Sequence, residues 1–229
     1  MTDDYALAQR LSPHLFGTLL AASRDTFNYD AIASFAASLD SANFAAQHFI
    51  GVPRFADDEQ LIRHSVKQAH PGGLFLEFGV ASGRTLRFIA EEHPGQVYGF
   101  DGFNGLPEDW RPGFPAGAFA QPPPETLPNA ELVIGYFDKT LPGFMVRHQQ
   151  PVSFAHIDCD LYSSTKTIFH YLKGNMIPGT ILVFDEFLNY PCWREHEYKA
   201  WVEFVEQQKL KFQYTGCVPT HQQVSVVIL

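Results

Sequence analysis

From Leu74 onward the chain repeats one unit: a short run that is apolar throughout, a stop at glycine or an acid, then an amphipathic stretch. The runs are LFLEFG, QVYGFD, ELVIG, VSFAHIDCD and TILVFDE, and the helical stretches include TLRFIAEEH, STKTIFHYLK and REHEYKAWVEFVEQQ. Strands without a polar face need cover on both sides, and strands separated by helices run parallel. The unit therefore dictates an α/β fold around a mostly parallel sheet. LKFQYTG and VSVVIL then follow each other with no helix between them. They predict an antiparallel hairpin at the C-terminal edge and complete a seven-stranded, Rossmann-like sheet.

Residues 4 to 70 read differently. YALAQRL, SPHLFGTLLAAS, DAIASFAASLD, SANFAAQHF and DDEQLIRHSVKQAH carry apolar positions at three- and four-residue spacing, with Ser12 and Asp30 as candidate N-caps. The change of character near Pro71-Gly72-Gly73 divides the 229 residues into an N-terminal helical cap, 1–72, and a main domain, 73–229. The cap is expected to pack on that domain or on a second copy of the chain, giving a homo-oligomer through the N-terminal helices.

Charge narrows the function classes. Lys+Arg 16 against Asp+Glu 25 leaves a formal net charge of -9, which repels phosphate backbones and disfavours nucleic acid as a partner. The acidic opening MTDDYALAQR is unlike a secretory signal, and no apolar stretch approaches the roughly 18 residues of a membrane helix. No membrane partner and a cytoplasmic location are the expectations. Cys159, Cys192 and Cys217 form neither a CxxC pair nor an even set, so no disulfide framework or structural zinc is expected.

Residues 102–129, GFNGLPEDWRPGFPAGAFAQPPPETLPN, hold too many prolines for a helix or central strand. Their aromatic residues favour a lid that packs over whatever the second strand's end binds.

In an open parallel sheet, ligands bind beyond the carboxyl ends of the strands. The first strand runs through Glu77 into a turn from Gly79 to Gly83 and on to Thr85, neither a dinucleotide G-x-G-x-x-G nor a phosphate loop. An acid two residues before the first glycine would repel phosphate and suits a cationic amino-acid ligand. Asp101, at the end of the second strand, suits a ribose hydroxyl. Together these describe S-adenosylmethionine (SAM) and disfavour a nicotinamide cofactor. His156, Asp158 and Asp160 share one face of the fourth strand if it extends that far, and Asp185 and Glu186 end the fifth. Four carboxylates at neighbouring strand ends repel one another, and Mg²⁺ would relieve this. Alternatively, Asp158 or Asp160 caps the helix that begins near Ser163, and Asp185 forms a turn. His156 by itself reads as a structural strand residue, and Asn189 to Cys192 as loop.

LEFGVASGRT, YGFDGFNGLP, GYFDKTLP, HIDCDLYSST and GTILVFDEF together resemble the macrocin O-methyltransferase family, class I SAM-dependent enzymes that methylate sugar hydroxyls, several with Mg²⁺. The resemblance spans roughly residues 74–205 and excludes the N-terminal helices. It implies SAM contacts at Glu77, Gly79, Gly83, Thr85, Asp101 and Asp138. It also implies metal ligands at Asp160, Asp185 and Glu186, with Asp158 as the base. Glu186 and Phe187 stand where the family's motif has Asp and Tyr. The expectation is a SAM-dependent O-methyltransferase of a small-molecule or sugar hydroxyl, with Asp158 or a histidine such as His196 taking the proton. The alternative is a SAM-binding regulatory or scaffolding protein with a degraded metal site.

Overall fold

The computed structural model describes residues 28–229. The expected N-cap Ser12 and the helices around it lie outside the described residues. Helix α1, Tyr29–His48, joins two stretches that the sequence presents as separate pieces. Its cap is Asn28, whose side chain accepts from the Ala31 amide, so Asp30 sits inside the first turn and is not the cap. Helix α2, Asp58–Gln68, is capped by Asp57, which accepts from the Gln60 amide at 2.8 Å.

The repeating unit then runs β1 (Leu74–Phe78), α3 (Arg84–Glu92), β2 (Val97–Asp101), β3 (Ala130–Ile134), α4 (Phe137–Arg147), β4 (Val152–Ile157), α5 (Tyr162–Leu172), β5 (Ile181–Phe184), α6 (Glu197–Gln208), β6 (Phe212–Cys217) and β7 (Val224–Ile228). The seven strands lie in the order β3-β2-β1-β4-β5-β7-β6. All neighbours are parallel except β7, which slots antiparallel between β5 and β6. The expected hairpin is present. Helix α4 went unread in the sequence because Pro142 and Gly143 interrupt its middle.

Strand alternation sorts the core onto two faces. Leu74, Leu76 and Phe78 of β1 join a cluster with Phe144 of α4, Phe169 of α5 and Trp201 of α6. Phe75 turns the other way, onto Leu61 and Ile62 of α2 and Leu86 and Ile89 of α3. Leu61 and Ile62 are completely buried, and each such side chain contributes about 1.5–3 kcal/mol. Helix α2 therefore packs on the sheet beside α3 and forms part of its cover. Among the described residues, no helix is long and apolar enough to cross a membrane.

Strand order reverses between β1 and β4, one leading outward to β2 and β3 and the other to β5. Side chains beyond the carboxyl ends of these strands face the crevice that such a reversal creates.

Candidate active site at the strand ends

A cavity of about 710 Å³ occupies that crevice, and Gly79, Ala81, Asp101, Asp138, Asp158, Asp160, Asp185 and Glu186 all reach it. The expected cofactor side and the expected acidic side thus share one space. Its outer wall comes from the 102–129 loop through Trp110, Arg111, Phe114 and Phe119. The loop is organised by its own backbone. Leu106 and Ala118 pair, Gly117 donates to Leu106, and Asp109 accepts from the Ala116 amide.

On the β1–β2 side, Gly79 has φ +93°, and a Cβ there would meet the Asp158 carbonyl oxygen at 1.6 Å. Only glycine lets β1 and β4 approach this closely while the chain turns. Asp101 organises the same turn: one oxygen accepts from the Val80 and Ala81 amides (2.9 Å each), the other from Phe103 (2.7 Å). A carboxylate offers about four lone-pair positions, so roughly one remains for a ligand. Gly83, with φ +78°, forms the N-cap of α3 beneath Pro124 of the lid and does not line the cavity. Asp138 lines it from the first turn of α4, half exposed and paired with Lys139 at 2.7 Å.

Glu77 is placed elsewhere. It pairs in register with His156 of β4, on the face that carries Phe75. Completely buried, it meets His156 Nδ1 at 2.9 Å, with Thr85 buried beside it, and none of the three lines the cavity. His156 Nε2 faces Asp185 Oδ1 at 3.7 Å, an ion-pair distance. Burial opposes charge on this imidazole, but the flanking Asp185 and Glu77 carboxylates outweigh it and raise the pKa well above the ordinary value. Asp185 is likewise penalised by burial, yet His156 holds it below the usual carboxylate range, and Gln223 Nε2 donates to it at 3.1 Å. The histidine that sequence alone reads as structural thus sits between Glu77 and Asp185, at the edge of the acidic cluster.

The remaining acids lack such a partner. Burial, then the charge of Asp185, pushes Asp158 and Glu186 well up, and pushes Asp160 to about 7. β4 ends at Ile157 and Asp160 has φ +61°, so the shared strand face expected for residues 156, 158 and 160 stops short of Asp160. Neither Asp158 nor Asp160 caps α5, whose N-cap is Leu161 with no side-chain bond. Among the described residues, the ligand atoms that converge within 4.8 Å belong to His156, Asp158 and Asp185. Asp185 alone is shared with the expected set of Asp160, Asp185 and Glu186.

Glu197, completely buried at the start of α6, accepts from the Cys159 amide at 3.3 Å and the Glu186 amide at 3.2 Å. It ties the two acidic loops together. Nothing in the linear pattern marks Glu197 or Gln223, because both act across the fold. His196 lies next to Glu197, half-buried near Trp110 and Tyr190, and does not line the cavity.

A stability signature follows from Asp160. Its ordinary value is 3.8 and its folded value about 7, so between these limits the folded chain holds a proton that the unfolded chain has released. Without a cation, stability should fall as pH rises from about 4 to about 7, by up to about 1.4 kcal/mol per unit for this group. Thermal melts in chelator across that range test this, and Asp160→Asn should reduce the slope by its own share, leaving that of Asp158 and Glu186.

Residues 76–187 match a family model described as a methyltransferase domain. Among solved structures, the chain is similar to CalS11, a calicheamicin methyltransferase, at 22% identity over 74% of this chain and 76% of that one, with a TM-score of 0.60. It is also similar to the O-methyltransferase NovP, at 18% identity over 74% and 78% of the two chains, with a TM-score of 0.55. No curated protein matches. The seven-stranded sheet is the class I methyltransferase fold.

Proposed function

We propose that the chain is a SAM-dependent O-methyltransferase acting on a hydroxyl of a small molecule or sugar moiety, assisted by a divalent metal. The carrying observation is the single cavity at the strand-order reversal, which brings the glycine turn and Asp101 together with Asp158 and its neighbouring acids. The methyltransferase match over residues 76–187 supports the reaction class, and the O-methyltransferase neighbour supports oxygen as the acceptor atom.

SAM supplies an electrophilic methyl group when bound. On this reading, Asp101 accepts a ribose hydroxyl while its remaining lone pairs hold the turn, and Gly79 lets the ligand lie against the backbone. Asp158 would take the acceptor hydroxyl's proton on a carboxylate oxygen, leaving the oxygen free to attack. Burial raises Asp158's affinity for that proton, so turnover should rise with pH as the carboxylate becomes available. The aromatic lid excludes water from the transfer.

The donor set fits a hard cation. Its acids are oxygen donors gathered by burial, and Glu186 Oε2 has no hydrogen-bond partner among the described residues. The resemblance would place the ion at Asp160, Asp185 and Glu186, whereas the ligand atoms that converge within 4.8 Å are those of His156, Asp158 and Asp185, so Asp185 is the ligand common to both; the ion would supply a lowered hydroxyl pKa. His156 Nδ1 is bonded to Glu77, while its Nε2 lies 3.7 Å from Asp185 and has no hydrogen-bond partner among the described residues.

Calorimetry with SAM and its demethylated product SAH, followed by labelled-SAM assays on a panel of hydroxylated acceptors, tests the reading. Both molecules should bind and at least one acceptor should be labelled; tight NAD binding with SAM silent would overturn it. A second reading, a SAM-binding regulatory or scaffolding protein, draws support from Phe187. That side chain is wholly buried in the core and brings no hydroxyl to the cavity. SAH binding without transfer to any acceptor, with or without Mg²⁺, would favour it.

A further inference from the structure

The lid presents one cation to the cavity. Arg111-Pro112-Gly113-Phe114 forms a turn in which the Phe114 amide donates to the Arg111 carbonyl at 2.8 Å and Gly113 takes φ +91°. Proline at the second position and a positive-φ glycine at the third are what a type II turn requires. The Trp110 amide closes the base on the Phe114 carbonyl at 3.0 Å. The Arg111 guanidinium is thereby set among rings, its carbon 4.0 Å from the Trp110 centroid, 4.8 Å from Phe114 and 4.9 Å from Tyr190.

Ring contacts use the faces of a guanidinium and leave its edge donors open. Arg63, Arg84 and Arg194 each pair with a carboxylate: Arg63 with Glu59, Glu91 and Glu92, Arg84 with Asp58, and Arg194 with Asp40. Arg111 makes no ion pair among the described residues, and its Nε is buried without a hydrogen-bond partner. Asp160 feels its charge but lies outside ion-pair distance. The first turn of α5 reaches the same cavity through Ser163 and Ser164 and has no side-chain cap, while Glu108 of the lid accepts from the Ser163 hydroxyl at 2.5 Å. A guanidinium packed on three rings, with no ion pair and no hydrogen-bond partner at Nε among the described residues, beside a cavity large enough for a ligand, is an arrangement suited to oxyanions.

We infer that Arg111 binds an oxyanion of the acceptor, so that the molecule methylated carries a carboxylate or phosphate group alongside its hydroxyl. This rests on the O-methyltransferase reading of the same cavity. The rival is that Arg111 only offsets the acidic cluster, in which case charged and neutral acceptors would respond alike to its loss.

The test is calorimetric titration of the full chain, with and without SAH, using glucuronate, a glucose phosphate and methyl glucoside as probes. At least one charged probe should bind about tenfold or more tightly than methyl glucoside. Arg111→Met should abolish that preference and Arg111→Lys should keep part of it, with SAH affinity in both within about twofold of the parent as the check on folding. Which charged probe binds better identifies the anion as carboxylate or phosphate. Equal affinity for charged and neutral probes, including no detectable binding of any, overturns the inference, as does a preference that survives in Arg111→Met. An anion preference in a protein that ignores SAH would instead sink the methyltransferase reading and leave the anion site standing.

Discussion

Asp158→Asn should make the protein more stable and nearly inactive. The substitution keeps the side chain's shape and leaves the backbone bond from the Asp158 amide to the Phe78 carbonyl, 2.9 Å, in place. It removes one of the buried carboxylates that Asp185 repels, so the cation-free protein should melt higher. If Asp158 is the base, turnover should fall by about 10²- to 10⁴-fold while SAH still binds. Labelled methyl transfer, calorimetry and a thermal melt read the three effects. A purely structural acid would move stability and activity together, and full turnover in the variant would remove Asp158 from the chemistry. Chelation gives the companion result: reduced transfer with SAH binding retained, since Asp101 and Gly79 sit on other strand ends.

Gly79→Ala should act oppositely, damaging fold and ligand site together. The added methyl would sit 1.6 Å from the Asp158 carbonyl oxygen, and φ +93° strains any side chain. Strain of about 1–3 kcal/mol adds to a similar overpacking cost, giving a loss of about 2–6 kcal/mol in denaturant melts, with SAH binding abolished. Gly113→Ala is the control. Its φ is +91°, but nothing lies within 4 Å of the new methyl, so only the conformational part, about 1–3 kcal/mol, should appear. Equal losses at the two positions would mean that close approach of β1 to β4 is unimportant.

What could be read from the sequence was local. Apolar runs ending in glycine or acid specify strands and the end at which a ligand sits, so the sheet and the crevice were legible before any contact was known. Asn28 and Asp30 show the limit at one residue's resolution, because either can cap a helix and only the backbone chooses. Pro142 hid α4, since a proline at mid-helix reads as a break even where tertiary packing of Leu141 and Phe144 carries the helix through. The acids were found by position, yet their grouping was not. Alternation predicts one face for Asp158 and Asp160, whereas a positive φ at Asp160 turns the chain after the strand ends. Glu77 illustrates the deepest gap: its partner is set by the register of β1 against β4, a pairing between residues 79 positions apart that no local pattern encodes.

The place of β7 has a consequence for how the chain is made. Synthesis proceeds from the N-terminus, and earlier segments begin to fold before later ones emerge. Because β7 inserts between β5 and β6, the wholly apolar Ile181–Phe184 strand keeps an unpaired edge until residues 224–228 leave the ribosome. Throughout that interval the nascent chain offers an adhesive edge to other chains, the situation chaperones exist to manage. The same late strand delivers Gln223 to Asp185, so the cluster's last hydrogen bond waits on the final crossing of the sheet. Yield in cells should therefore depend on translation speed and chaperone supply even where the finished fold is stable.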